Sequence, residues 1–240
     1  MGIHTAEAIV LRRYPFRETS VTLSCLTDEF GKLRGLIKGL RASPNRYRSA
    51  MEPMTVNRIV FYDTRASQLH LISQCELLSP FSGLQRDLET MRLAALCVEL
   101  VDTIVPIEDP QPATYHLLKR TLEHLALGGD DPMALRIHFV VRLLRLAGFH
   151  PQLNECVGCG TAVHRTGYWS ARQGGFLCPN CLHEDPRADA VTPIVLDSLE
   201  AMSETEGPIP LDPQLAQGLC RRLDEFLQWR LDRPLKTLAT

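Results

Sequence analysis

The chain opens on alternating apolar and polar positions. Ser20 to Thr27 reads S-V-T-L-S-C-L-T, with Val21, Leu23 and Cys25 set against Thr22, Ser24 and Leu26. A period of two puts successive side chains on opposite faces and predicts a strand. Thr5 to Arg12 mixes β-branched and apolar residues in the same way. Asp28-Glu29-Phe30-Gly31 has turn chemistry, and Lys32 to Lys38 resumes a strand, so residues 20–38 predict a hairpin. Thr55 to Tyr62 and Leu69 to Leu77 add two more strands around a turn at residues 63–68. An open sheet of this size would leave bare edges, so five strands in residues 1–80 predict a small closed barrel. A five-stranded barrel of the OB type is the leading expectation, and an SH3-like barrel is the rival.

After residue 80 the period changes. Leu84, Leu88, Met91, Leu93, Ala95, Leu96, Val98, Leu100, Val101 and Ile104 form a broad helical stripe that Pro106 ends. Pro106 to Pro112 is a stiff connector. A second helix is expected from about Ala113 to Leu127, stopped by Gly128-Gly129. A third runs from about Pro132 to Leu146, with Asp131 as its N-cap and Gly148 closing it. Arg136, Arg142 and Arg145 read as its wet face. Val191 to Met202 and Pro213 to Leu231 are further helices, with Phe226 and Trp229 expected in the core. The predicted class is α+β: a barrel domain over 1–80, then an α-helical domain over 81–240.

Within the second domain lie two Cys-x2-Cys pairs, Cys156/Cys159 and Cys178/Cys181, with eighteen residues between them. This is zinc-ribbon spacing. Each tight turn supplies two thiolates to one tetrahedral ion. Gly158 and Gly160 permit a positive-φ knuckle and Pro179 stiffens the second turn. Tyr168-Trp169 and Gly174-Gly175 fit a β-hairpin between the knuckles, giving a module at about 153–184. The chemistry implied is a structural Zn2+, one per chain, because four thiolates leave no open position for water. Disulfides and a redox pair are the competing readings, and His164 or His183 could replace one thiolate. The other cysteines, Cys25, Cys75, Cys97 and Cys220, are scattered on apolar patterns, as free thiols in a reducing compartment are.

Composition is that of an ordinary globular chain: 45% hydrophobic, 22% charged and a formal net charge of -2. No apolar run is long enough to span a bilayer, and the start lacks the layout of a signal peptide. A cytoplasmic protein without membrane contact is expected. The charge is unevenly spread. Residues 1–80 carry eleven Lys/Arg against seven Asp/Glu, and the remainder carries fifteen against twenty-one. Lys32, Arg34, Lys38, Arg41, Arg46 and Arg48 are six cations in seventeen residues, and no Asp or Glu occurs from 30 to 51. Tyr47 sits among them, and Tyr14 and Phe16 lie in the first turn. Cations at these intervals suit a phosphate track, and aromatic rings suit stacking on bases. The plain alternative is a solvated surface. Nucleophile elbows, Walker loops, dinucleotide fingerprints and paired catalytic carboxylates are absent, so no enzyme and no small-molecule substrate is expected.

Ala8 to Ser20 (A-I-V-L-R-R-Y-P-F-R-E-T-S), Thr27 to Arg41 (T-D-E-F-G-K-L-R-G-L-I-K-G-L-R), Leu143 to Gly160 and Arg233 to Thr237 (R-P-L-K-T) together resemble the bacterial RecO family of DNA repair proteins. The resemblance implies an N-terminal OB fold and a helical domain carrying a four-cysteine zinc module. It implies a non-catalytic recombination mediator that binds single- and double-stranded DNA and anneals complementary strands. It also implies partners: RecR, the C-terminal tail of single-strand-binding protein (SSB), and functionally RecA, in a nucleoid-associated cytoplasmic setting. Carried onto this chain, the six cations between Lys32 and Arg48 become the DNA contacts. Lys119, Arg120, Arg136 and Arg142 become candidates for the SSB tail. An RNA-binding OB-plus-ribbon accessory factor and a zinc enzyme with an unrecognised site are the other readings.

Overall fold

The computed structural model describes residues 2–39, 51–63, 68–162, 167–231 and 234–238. The chain forms two compact units, Met1–Gly128 and Gly129–Thr240.

The first unit is built on a closed barrel of β1 (Ile3–Phe16), β2 (Ser20–Thr27), β3 (Gly31–Ile37), β4 (Val56–Tyr62) and β5 (Leu69–Ser79), in the order β1-β2-β3-β5-β4. This is the OB-like arrangement the sequence favoured over an SH3-like one. Antiparallel ladders join all neighbours except β3 and β5, which run parallel and close the barrel through Arg34↔Leu69, Gly35↔His70 and Leu36↔Leu71. Gly35 makes that seam possible, because a Cβ there would overlap the side chain of Ile72. Val10, Val21, Leu23, Cys25, Leu33, Ile37, Ile59, Phe61 and Ile72 fill the interior. Gly31 turns β2 into β3 at φ +68°, and a Cβ there would strike the backbone of Asp109.

Two helices complete this unit. Helix α1 spans Leu88–Ile104. It starts later than the apolar stripe suggests because Asp87 caps it, accepting from the Thr90 N–H at 2.7 Å, while Ser82–Gln85 forms a separate 3-10 turn. It ends at Val105, which precedes Pro106 and is extended. Helix α2 spans Pro112–Leu127. Tyr115 and Lys119 on α2 both reach the Glu7 carboxylate of β1, at 2.6 Å each. Helix packing explains why Leu26 is buried on the outer face of β2, since α2 packs against that strand, whereas Thr27 continues the inner face of Val21, Leu23 and Cys25.

The second unit holds α3 (Pro132–Leu146), α4 (Pro193–Glu204) and α5 (Pro213–Arg230). Asp131 caps α3 through the Met133 N–H, and Gly148 at φ +75° ends it, as its sequence predicts. Between α3 and α4 lies a small sheet of β6 (Gly167–Ser170), β7 (Gly175–Leu177) and β8 (Asp189–Val191), in the order β7-β6-β8. β6 and β7 are the predicted hairpin. β8 takes three residues assigned beforehand to the approach and start of a helix, and α4 begins only after Thr192. Trp169 of β6 is 2% exposed and packs at 5.3 Å from Phe176 and 5.8 Å from Phe226 of α5. That contact fixes the sheet on the helices. Trp229 departs from expectation: it is 61% exposed, while Phe226 and Leu227 of the same helix are each 1% exposed. Arg136 and Arg142 also differ from a wet face. They are half-buried, Arg136 pairing with Asp224 and Arg142 donating to the Ser203 carbonyl at 2.8 Å. Among the described residues no helix is long and apolar enough to cross a membrane.

Candidate nucleic-acid interface and metal centre

Strand alternation sets the geometry of the barrel face. With Leu33 and Ile37 pointing inward, Lys32, Arg34, Leu36 and, just beyond the strand, Lys38 fall on the outer side of β3. Arg34 and Lys38 are exposed there. Lys32 is not: it is 8% exposed, and its Nζ donates to the Asp102 carbonyl near the end of α1 at 2.7 Å. The segment after α1 covers it further, since the Glu108 N–H donates to the Lys32 carbonyl at 2.9 Å. Lys32 therefore does not join the exposed cations and instead ties β3 to α1. Around it, Ser24 donates to Asp102 Oδ1 at 2.7 Å, and Arg12 pairs with Asp102 and, at 3.5 Å, with Glu99. Arg41, Arg46, Tyr47 and Arg48 lie outside the described residues.

Of the cations considered for a partner tail, Lys119 pairs with Glu7, Arg136 with Asp224, and Arg142 with Ser203. Arg120 is also engaged. The structure thus gives each of them an internal role. A cleft of 660 Å³ in the second unit is lined by Trp229, Arg172, Arg187, Arg221, Asp189 and Glu225; there Arg221 pairs with Asp189 at 3.1 Å and Arg172 donates to the Glu184 carbonyl at 2.9 Å.

The metal centre assembles as the spacing predicts. Cys156, Cys159, Cys178 and Cys181 place their sulfurs within 4.8 Å of one another. The first knuckle is closed by the Gly160 N–H donating to the Cys156 carbonyl at 2.8 Å, with Gly160 at φ +71°. Gly158 has a different role from the one expected. Its φ is not positive, and a Cβ there would instead meet the Glu184 carboxylate. Cys178 precedes the 3-10 helix Pro179–Glu184 and donates its N–H to Cys156 Sγ at 3.2 Å. The Cys159 and Cys178 sulfurs are 3.8 Å apart. Four sulfurs about 2.3 Å from a central Zn2+ would be separated by about 3.8 Å along each tetrahedral edge. His183 directs Nδ1 to the Asn180 carbonyl at 2.9 Å and does not belong to the cluster, and His164 is outside the described residues.

The thiols are poised as ligands. Burial works against charge on Cys156, yet the N–H groups of Cys178, Cys159 and Gly158 outweigh it and bring the thiol down to about 6. The Thr161 hydroxyl and N–H lower Cys159 as well. Cys181 is pushed well up, first by burial and then by the three neighbouring cysteines. Four thiolates this close need a cation between them, and these residues could hold one metal ion.

Comparison with known proteins decides the family. The profile described as "Recombination protein O N terminal" matches residues 1–81, and that described as "Recombination protein O C terminal" matches residues 85–239. The chain belongs to the RecO family. The DNA repair protein RecO of Desulforudis audaxviator is 34% identical, with 100% of this chain and 96% of the relative covered. That of Symbiobacterium thermophilum is 30% identical over 99% and 96%, and that of Moorella thermoacetica 30% over 99% and 90%. The family places the chain among DNA repair proteins, with an OB-like barrel first and a four-cysteine cluster in its second half.

Proposed function

We propose that this RecO protein is a non-catalytic recombination mediator. It binds single- and double-stranded DNA through its barrel, anneals complementary strands and, with RecR, helps load RecA onto SSB-coated DNA. The observation that carries this reading is the exposed Arg34 and Lys38 on the outer side of β3, on an OB-like barrel within a chain of the RecO family. Arg41, Arg46 and Arg48 continue the same basic run in sequence. Lys32 supports β3 from beneath. Residues 1–80 then form the DNA-binding domain, and residues 81–240 carry the metal module and partner contacts, in a cytoplasmic, nucleoid-associated protein.

The work is electrostatic. Cations on the barrel neutralise phosphates of two strands, reduce their repulsion and hold them close enough to pair. The four cysteines hold Zn2+ as a structural cross-link. The acidic, apolar tail of SSB finds cations and an exposed indole at the cleft beside Trp229.

The test is a titration of one labelled oligonucleotide as single-stranded DNA, duplex DNA and RNA of the same sequence, at low and moderate salt. Binding of both DNA forms is expected, with log affinity falling by about 0.7 to 0.9 per phosphate neutralised. A clear preference for the RNA would move the protein to an RNA accessory role, and no binding at low salt would remove the barrel's proposed activity.

A further inference from the structure

The outer face of β1, β2 and β3 has a cross-section that the cations alone do not explain. Arg12, Tyr14 and Phe16 alternate on the outer side of β1, opposite Ser24, Thr22 and Ser20 of β2 in the strand register. The same β2 residues face β3, with Ser24 opposite Arg34 and Thr22 opposite Leu36. Adjacent strands lie about 4.8 Å apart, so β2 forms a floor of small hydroxyl side chains about 10 Å wide between two taller walls. One wall carries Tyr14 and Phe16, and the other carries Arg34, Leu36 and, just beyond the strand, Lys38.

Both rings stand in solvent. Tyr14 is 49% exposed and Phe16 37%. They are held there by neighbours: Arg12 Nη1 lies 3.4 Å from the Tyr14 hydroxyl, and the Arg17 guanidinium lies 5.3 Å from the Phe16 ring centre. At the other end the trough is closed where Ser24 and Arg12 bond to Asp102 and Glu99 of α1. The open end therefore presents Tyr14 and Phe16 across from Lys38. As same-face neighbours on one strand, the two rings are about 6.8 Å apart along it. That is about twice the 3.4 Å rise of stacked nucleotides.

We propose that this trough is a single-strand-specific site in which Tyr14 and Phe16 stack on unpaired bases while Arg34 and Lys38 hold the phosphates. The inference rests on the DNA-binding reading above and goes beyond it by naming what distinguishes the two DNA forms. A cation accepts the phosphates of either form. A ring accepts a base only when its π-face is free, and in a duplex each face is already covered by the next pair. Tyr14 and Phe16 are then the specificity-determining residues, and the run of phosphates follows β3 while the bases lean toward β1.

The experiment compares the unaltered protein with Tyr14→Ala/Phe16→Ala, for a single-stranded oligonucleotide and a duplex of equal length. Single-strand affinity is expected to fall about thirtyfold or more, with duplex affinity and the salt slope of both unchanged. Equal losses for both forms, or no loss for the single strand, would overturn the assignment. A Tyr14→Trp variant gives an independent readout that does not depend on how the double variant folds. Its added indole fluorescence is expected to be quenched by single strands and not by duplex, and equal quenching by both, or none by single strands, contradicts the site. If the unaltered protein binds neither DNA form at low salt, the DNA-binding reading itself fails. If it binds both and the double variant keeps its single-strand affinity, only this inference fails.

Discussion

Replacing Arg34, Lys38 and Arg41 together by Ala is expected to weaken DNA binding about a hundredfold at 0.1 M salt and to flatten the salt slope by about 2 to 3 units. The reason is the polyelectrolyte character of DNA: each cation seated on a phosphate releases a counterion, and that gain shrinks as bulk salt rises. Near 1 M salt the triple variant and the parent should therefore converge. Arg34 and Lys38 are exposed on the outer side of β3. Their removal costs the barrel little, and an unchanged melting temperature is the control. Lys32→Ala should behave in the opposite way. Lys32 is buried against the Asp102 carbonyl, so its loss strips α1 of a charged anchor and lowers stability by roughly 1 to 3 kcal/mol. Its salt slope for DNA should match the parent. A folded triple variant with unchanged affinity and slope would refute the phosphate track, and a Lys32→Ala protein with a reduced slope and unchanged stability would refute the division of labour within β3.

Cys156→Ser is expected to abolish metal retention and unfold residues 150–190 while the barrel stays intact. Cys156 is buried, accepts the Cys178 N–H, and has the thiol brought down to about 6, so it links both knuckles. Serine cannot replace a thiolate for Zn2+ at neutral pH, and the three remaining sulfurs would enclose an incomplete site. Metal binding is also folding free energy for small modules, on the order of 10 kcal/mol in isolated zinc-finger peptides. The sheet β6–β8 is fixed to α5 through Trp169 and Phe226, so the melted module should loosen α5 next. β1 to β5 belong to the other compact unit and should keep their amide protection. Hydrogen exchange resolved along the chain reads both regions at once. Metal analysis gives the second check, and a Co2+-substituted protein should show the spectrum of four-thiolate ligation. A single equivalent of metal retained by the variant would show that the ligand set is wrong.

The physics that sets each feature explains what could be read from the sequence. Ser20–Thr27 and Pro132–Leu146 were legible because local signals fix them: alternation in one, and an Asp cap, an N-terminal Pro and a closing Gly in the other. The four cysteines were legible because metal geometry writes its spacing into the chain. Spacing set Lys32 among the cations of the phosphate track. What it could not show was that the end of α1, seventy residues later, covers that position. Trp229 was misplaced for a related reason: Phe226 and Trp229 are both aromatic, and only the helix's packing partners decide which of them turns inward. β8 carried almost no signal, since Asp-Ala-Val becomes a strand only through pairing with β6. The aromatic wall is likewise a product of register. Tyr14 and Phe16 read as turn residues until β1 runs through Phe16 and sets them across β2 from β3.

The central claim is that the basic barrel brings complementary strands together, and strand annealing tests it most directly. Two complementary oligonucleotides coated with SSB would be mixed with the protein at low and moderate salt, without nucleotide. Stoichiometric acceleration of pairing that weakens as salt rises, and that the Arg34/Lys38/Arg41 variant lacks, is the result this account predicts. Acceleration that is indifferent to salt and intact in that variant, or no acceleration at any salt, would contradict it.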